Sequence, residues 1–222
     1  MEYADIPHVF SLEAARNYED FYRTPYGERM DAVEKEAVQE LLSIVPLQKR
    51  GALLEVGCGT GHWTEFFVNE GFRVTATDPS SGMLSVAKGK SLPGTTFISA
   101  PAEQLPFPDD SFPVVAAITV FEFVEDTEKA VSEIGRVLRK EGWFLGGFLN
   151  AGSEIGRQKN SDPILRHARL FTLPEIEQLL APLGKMTVRS CVHLSPKMEI
   201  LDGTHPAVDL PPAFYAVRIQ KQ

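Results

Sequence analysis

A chain of 222 residues with 43% hydrophobic and 23% charged residues suits one α/β domain and excludes wholesale disorder. Its formal net charge of −8 would repel a phosphate backbone, so no nucleic-acid partner is expected. Cys58 and Cys191 lack CxxC spacing, which favours neither a disulfide framework nor a zinc site, and no metal is expected.

In chain order, the opening MEYADIPHVF lacks the basic start and apolar run of a secretory signal. No later run approaches the ~18 apolar residues that cross a bilayer. A soluble, cytoplasmic protein without membrane attachment is therefore expected. Tyr18, Phe21, Tyr22 and Tyr26 crowd an aromatic helical stretch, and Met30, Val33, Ala37, Val38, Leu41 and Leu42 then recur at helical spacing with Glu and Lys between them. Pro46 is read as closing that helix.

Ala52 to Val56 is a short apolar run ending in glycines, as a buried parallel strand would be. A helical stripe from Trp63 to Asn69 stops at Gly71, and Arg73 to Thr77 is a second strand with Asp78-Pro79 at its end. Residues 80–88 read as a helix, Thr95–Ser99 as a third strand and Val114–Phe121 as a fourth. An amphipathic helix over Glu128–Arg139 leads through Glu141-Gly142 into a fifth strand, Trp143–Leu149. Residues 151–170 are polar and aperiodic, an insertion over the carboxyl edge of the sheet, with Arg157, Lys159, Arg166, His167 and Arg169 as its basic groups. The helix Leu173–Leu180 and the strands Met186–Leu194 and Ala213–Gln220 follow, the last two as an antiparallel hairpin. The fold class is α/β and Rossmann-like, a mostly parallel seven-stranded sheet with helices on both faces.

The chemistry concentrates at Leu53-Leu54-Glu55-Val56-Gly57-Cys58-Gly59-Thr60-Gly61. Alternating glycines between a strand and a helix let a ligand approach the backbone closely, and the free N–H groups of a helix start favour a polar or anionic group. A dinucleotide fingerprint would want its third glycine one position later, where His62 stands, and a P-loop would want Gly-Lys-Ser/Thr. Asp78, at the end of the next strand, falls beside this turn on a doubly wound sheet, where a carboxylate can accept both hydroxyls of a ribose.

These residues, with Leu105-Pro106-Phe107, Asp109-Asp110-Ser111-Phe112 and Arg136-Val137-Leu138-Arg139-Lys140-Glu141-Gly142, resemble the successive blocks of class I methyltransferases that use S-adenosylmethionine (SAM). The likeness is greatest to the small-molecule group that includes the ubiquinone/menaquinone methyltransferases. It runs over residues 37–150, and Phe171–Leu180 extends it.

The resemblance implies SAM as cofactor, S-adenosylhomocysteine (SAH) as product and in-line methyl transfer to a small-molecule acceptor. Gly57, Gly59 and Gly61 would line the methionine part, with Glu55 supporting the turn. Asp78, followed by Pro79, would hold the ribose; Met83, Ala102 and Glu103 would flank the adenine; Thr119 and Phe121 would lie near the sulfonium. Pro101 and Pro113 depart from the family pattern, which puts an acidic residue before Ala102 and an Asp after Phe112. Residues 1–46 would form a helical lid, 47–150 the SAM-binding core, 151–172 a substrate-side insertion and 173–222 the end of the core sheet.

Tyr18, Tyr22, Thr24 and Tyr26 precede the core as an aromatic lid does in similar enzymes, with Tyr22 counted among the cofactor contacts. A ring over the sulfonium would gain about 0.5–2 kcal/mol from cation–π attraction. A general base is needed only where the acceptor must lose a proton. Glu122, His167 and His193 are candidates, and none is assigned. A non-catalytic SAM-binding protein and a nicotinamide-dependent oxidoreductase stand as alternatives. Acceptor identity and oligomeric state are not encoded in any legible motif.

Overall fold

A computed structural model describes residues 9–46, 51–201 and 210–222. Expectations for residues 1–8, and for 47–50 at the predicted start of the core, lie outside the described residues.

Two helices come first. In α1 (Leu12–Tyr22) the Ser11 side chain caps the start by accepting from the Ala14 N–H. Thr24 caps α2 (Pro25–Leu42) by accepting from Gly27 N–H, with Pro25 in the first turn. The helix ends at Leu42, before the predicted stop at Pro46. Its buried stripe runs through Met30, Glu34, Ala37, Val38, Leu41 and Leu42.

The core then alternates β1 (Ala52–Val56), α3 (His62–Asn69), β2 (Arg73–Asp78), α4 (Ser81–Gly89), β3 (Thr96–Ser99), β4 (Phe112–Ile118), α5 (Thr127–Val137) and β5 (Leu138–Leu149). A short helix α6 (Glu154–Gln158), α7 (Leu173–Leu180), β6 (Met186–Leu194), β7 (Ile200–Leu201) and β8 (Pro212–Gln220) complete it. The sheet has eight strands in the order β3-β2-β1-β4-β5-β8-β6-β7. The first five are parallel, and β8, β6 and β7 are antiparallel to their neighbours. The α/β class and the antiparallel close are as expected. The eighth strand is the two-residue β7, which is too short to leave a sequence pattern.

Two apolar layers sandwich the sheet. Val38, Leu42, Trp63, Phe67 and Leu84 pack on one face, and Val131, Ile134, Ile176 and Leu180 on the other. Arg136 fastens the loop before β4: its guanidinium donates to the carbonyls of Leu105 and Phe107 and pairs with Glu133 and Asp109.

Boundaries differ from prediction at β4 and β5. The fourth strand stops at Ile118 instead of running to Phe121, because Thr119 takes φ 52 and the chain turns into a 3-10 turn over Phe121–Phe123. The fifth starts at Leu138, paired with Phe112, and its register slips before Trp143 pairs with Val114. Pro113, with no N–H, sits at that slip. A Cβ on Gly142 would meet Arg139 O at 2.7 Å and Pro113 O at 3.0 Å, so only glycine fits beside it.

Candidate functional site

The chain passes from β1 through β2 and β3 and returns to β4 on the other side of β1, so the topological switch lies between β1 and β4. Ligands of open α/β sheets bind outside the carboxyl ends of the strands at such a point. A cavity of about 630 Å³ lies there, roofed by α1, the start of α2 and the 155–165 segment. That volume falls within the range of ligand pockets, about 300–1,000 Å³.

The glycine turn forms its floor. Gly57, Gly59 and Gly61 have φ of 68, 54 and 78, a region that costs a side-chain-bearing residue about 1–2 kcal/mol. Their surroundings differ. A Cβ on Gly57 would strike Val120 at 2.6 Å, whereas one on Gly59 would meet nothing within 4 Å and would project into the cavity. Gly61 does not line the cavity. It caps α3, and a Cβ there would press on Ala87 of α4 at 3.2 Å.

Asp78 joins this turn directly. Its Oδ2 accepts from Gly59 N–H at 2.9 Å and its Oδ1 from Ser80 N–H at 2.8 Å. A carboxylate has about four acceptor sites, so each oxygen keeps capacity for a ligand hydroxyl. Burial pushes its pKa up, and the two N–H groups oppose that. Glu55, 2% exposed, accepts from the Thr64 hydroxyl and so ties the end of β1 to the first turn of α3. Burial, with the Asp78 charge nearby, raises Glu55 to about 8.

Pro79, Met83, Ala102, Glu103 and Thr119 line the same cavity, as does Tyr22. Tyr22 stacks on His62 with ring centroids 3.8 Å apart, and its hydroxyl is 3.0 Å from that of Tyr18. Thr119 is a β-branched residue at positive φ, held by the bond from its N–H to Gly147 O at 2.9 Å. Phe121 corrects the expectation made for it. It is 1% exposed, stacks on Phe148 at 5.2 Å and belongs to the opposite apolar layer. The turn at Thr119 rotates it away from the cavity.

None of the three base candidates reaches the cavity. Glu122 is 2% exposed; one oxygen accepts from Leu149 N–H, the other has no partner, and burial raises it to about 7. His193 Nδ1 lies 3.0 Å from Leu210 O, and His167 sits beside the exposed Arg166. In the insertion, Arg157 pairs with Glu154 and Arg169 with Glu175. Lys159 alone of its basic groups lines the cavity, and its Nζ donates to Ala168 O at 2.6 Å. Among the described residues no cluster of His, Cys, Asp and Glu is arranged to hold a metal, and no helix is long and apolar enough to cross a membrane.

Several residues that line the cavity, Asn17, His62, Trp63, Phe123 and Glu34 among them, are not marked by any motif. Glu34 lines the cavity at 7% exposure, although it is one of the polar residues between the apolar positions of α2. Its signal was its spacing, four residues after Met30 and four before Val38, on the buried stripe.

Residues 54–146 match the methyltransferase domain family. The chain is 35% identical over 136 residues to a ubiquinone/menaquinone biosynthesis C-methyltransferase from Campylobacter jejuni, covering 54% of this chain and 57% of that one. It is 31% identical over 142 residues to a malonyl-[acyl-carrier protein] O-methyltransferase from Serratia marcescens, covering 63% and 55%. These alignments thus span little more than half of either relative. A solved SAM-dependent methyltransferase from Thermotoga maritima, described as a possible histamine N-methyltransferase, superposes with a TM-score of 0.75 at 25% identity, over 98% of this chain and 100% of that one. Over residues 54–146 the chain thus carries a domain of the methyltransferase family, and its fold is that of a solved SAM-dependent methyltransferase. SAM is the cofactor of this family and SAH its product, which leaves the nicotinamide alternative without support.

The groups on the cavity floor fit that cofactor. An acid with spare acceptor capacity adjoins a bend where a Cβ would intrude on the ligand space, and apolar Met83 and Ala102 flank them.

Proposed function

We propose that this chain transfers the methyl group of SAM to a small-molecule acceptor bound in the cavity beneath α1 and α2. The observation that carries this is the bond between Gly59 N–H and Asp78 Oδ2, which sets an acid and an open glycine turn side by side at the switch point. Bound SAM would supply an electrophilic methyl group.

Asp78 would accept the ribose hydroxyls, each charge-assisted bond contributing about 1.5–3 kcal/mol. Gly57 and Gly59 would bed the methionine part, while Glu55 and Gly61 would act from beneath by fixing the start of α3. Pro79, Met83, Ala102 and Glu103 would enclose the adenine, and Thr119 would face the sulfonium end. Tyr22 would close the lid. The residues' work is chiefly to orient the acceptor and exclude water, because alignment is a large share of the barrier.

The acceptor atom is not carried over from the relatives, whose names specify transfer to oxygen, carbon and nitrogen respectively. A small, uncharged or cationic acceptor agrees with the net charge of −8. Cys58 and Cys191 are both free, as suits the reducing cytoplasm.

The test is to titrate SAH calorimetrically and then to incubate the protein with methyl-labelled SAM and a metabolite panel. Micromolar SAH binding, about −8 kcal/mol, together with label transfer is expected. Absence of SAH binding would overturn the proposal. Tight SAH binding with no transfer to any panel member would favour a non-catalytic SAM-binding protein.

A further inference from the structure

Glu34 faces the cavity from α2 without a partner. Among the described residues no hydrogen bond or ion pair reaches its carboxyl group, although the residue is 7% exposed. Burial raises its pKa to about 8, and the nearby Asp31 charge adds to that. The phenols of Tyr18, Tyr22 and Tyr26 are all close enough to feel its charge. The Tyr18 and Tyr22 hydroxyls bond to each other, while the Tyr26 hydroxyl is buried with no partner. A buried phenol with nothing to bind it is costly, and a ligand that bonds both to it and to the Glu34 carboxyl facing the cavity removes that cost.

The charge around the cavity selects which donor. Asp78, Glu103 and Asp162 line it against Lys159, whose ammonium is engaged by a backbone carbonyl, while Glu34 and Glu55, both raised to about 8, add charge only once a cation pairs with them. An acidic ligand head would be repelled. An alcohol could bond but would gain nothing from the ring faces or the net charge. An ammonium gains from both, since aromatic faces attract cations. The walls nearby are apolar, formed by Met30, Trp63 and Ile155.

We propose that Glu34 receives the amino head of the acceptor, and that the acceptor is a small amine with an apolar or aromatic body. This rests on the methyltransferase assignment of the cavity. Glu34 is a binding residue here, and the Tyr26 hydroxyl is the second acceptor for the same head. Pairing with an ammonium requires an ionised carboxyl, so binding near pH 7 expels about one proton from Glu34. The other groups around it are Tyr18 and Tyr22 of α1, Tyr26, Asp31 and Lys35 of α2, His62 of α3 and Cys191 of β6. Asp31 is already paired with Lys35 and His62 at 2.7 Å each, and burial raises the pKa of the three tyrosines and of Cys191, so neither the tyrosines nor Cys191 supplies that proton.

The experiment is calorimetry on the full chain saturated with SAH, at pH 7 in two buffers of different ionisation enthalpy. The probes are 2-phenylethylamine and hexylamine with their alcohol counterparts, 2-phenylethanol and hexanol. At least one amine should bind tenfold more tightly than its alcohol, a difference of about 1.4 kcal/mol, with release of one proton. Glu34→Gln should abolish both the preference and the proton release while leaving SAH affinity unchanged. Tyr26→Phe should weaken amine binding several-fold and keep the proton release. Normal SAH binding with no preference for amines, or a preference that survives in Glu34→Gln, would overturn this proposal alone. Failure of SAH to bind the wild-type chain would overturn the cofactor assignment and this proposal together.

Discussion

The backbone N–H of Gly59 donates to Asp78 Oδ2 at 2.9 Å, so the turn after β1 and the acid that ends β2 form one hydrogen-bonded unit. Asp78→Asn keeps the shape of the side chain but removes its charge and half its acceptor capacity. SAH affinity should fall at least tenfold, about 1.4 kcal/mol, by titration calorimetry. Undiminished binding would remove Asp78 from the ribose role.

Gly57 and Gly59 should separate stability from binding. Gly57→Ala adds a methyl 2.6 Å from Val120, and the overpacking should cost about 1–3 kcal/mol by denaturant unfolding. Pairing it with Val120→Ala should recover part of that loss, since the two sites are in contact. Gly59→Ala should carry only the conformational cost of about 1–2 kcal/mol in stability, because its Cβ meets nothing. Its larger effect should be on SAH affinity. Equal damage to folding from the two substitutions would contradict this division.

The α1 helix is latched to α4, which begins beside Asp78. Lys90 pairs with Glu19 at 2.9 Å, and the Ser80 hydroxyl donates to Phe10 O at 2.7 Å. A single ion pair of this kind contributes about 1 kcal/mol or less, so Glu19→Gln should barely move the melting temperature. Amide exchange over α1 should nevertheless quicken, and SAH should dissociate several-fold faster in stopped-flow displacement. Unaltered exchange would show that the latch does not hold the lid.

Buried carboxyls set a pH dependence. Glu34 is held protonated up to about 8 when folded, against an ordinary value of 4.5. Over that window the native state keeps a proton that the unfolded chain has lost. Its contribution is therefore full below about 4.5 and declines as pH rises towards 8, by at most about 1.4 kcal/mol per pH unit. Glu34→Gln removes this dependence, so the variant should gain stability relative to the wild type between pH 5 and pH 8 in ligand-free thermal melts. A gap constant across that range would place the Glu34 carboxyl in water.

The parallel half of the fold was legible because its signals are local. Apolar runs such as Ala52–Val56 and the glycine–acid spacing depend on neighbours in the chain and survive without tertiary context. What stayed hidden depends on directions in space. The positive φ of Thr119 ends β4 early and sends Phe121 into the far layer, and the pairing of β7 gives no pattern in two residues. Glu34 was on the inward stripe of its helix by spacing, but its chemistry argued for solvent. Sequence by itself determined the doubly wound sheet and the glycine turn with its acid, since strand period and a side-chain-free bend are properties of consecutive residues. Only the tertiary structure decided which acids are taken out of water, because burial is set by elements that meet from distant parts of the chain.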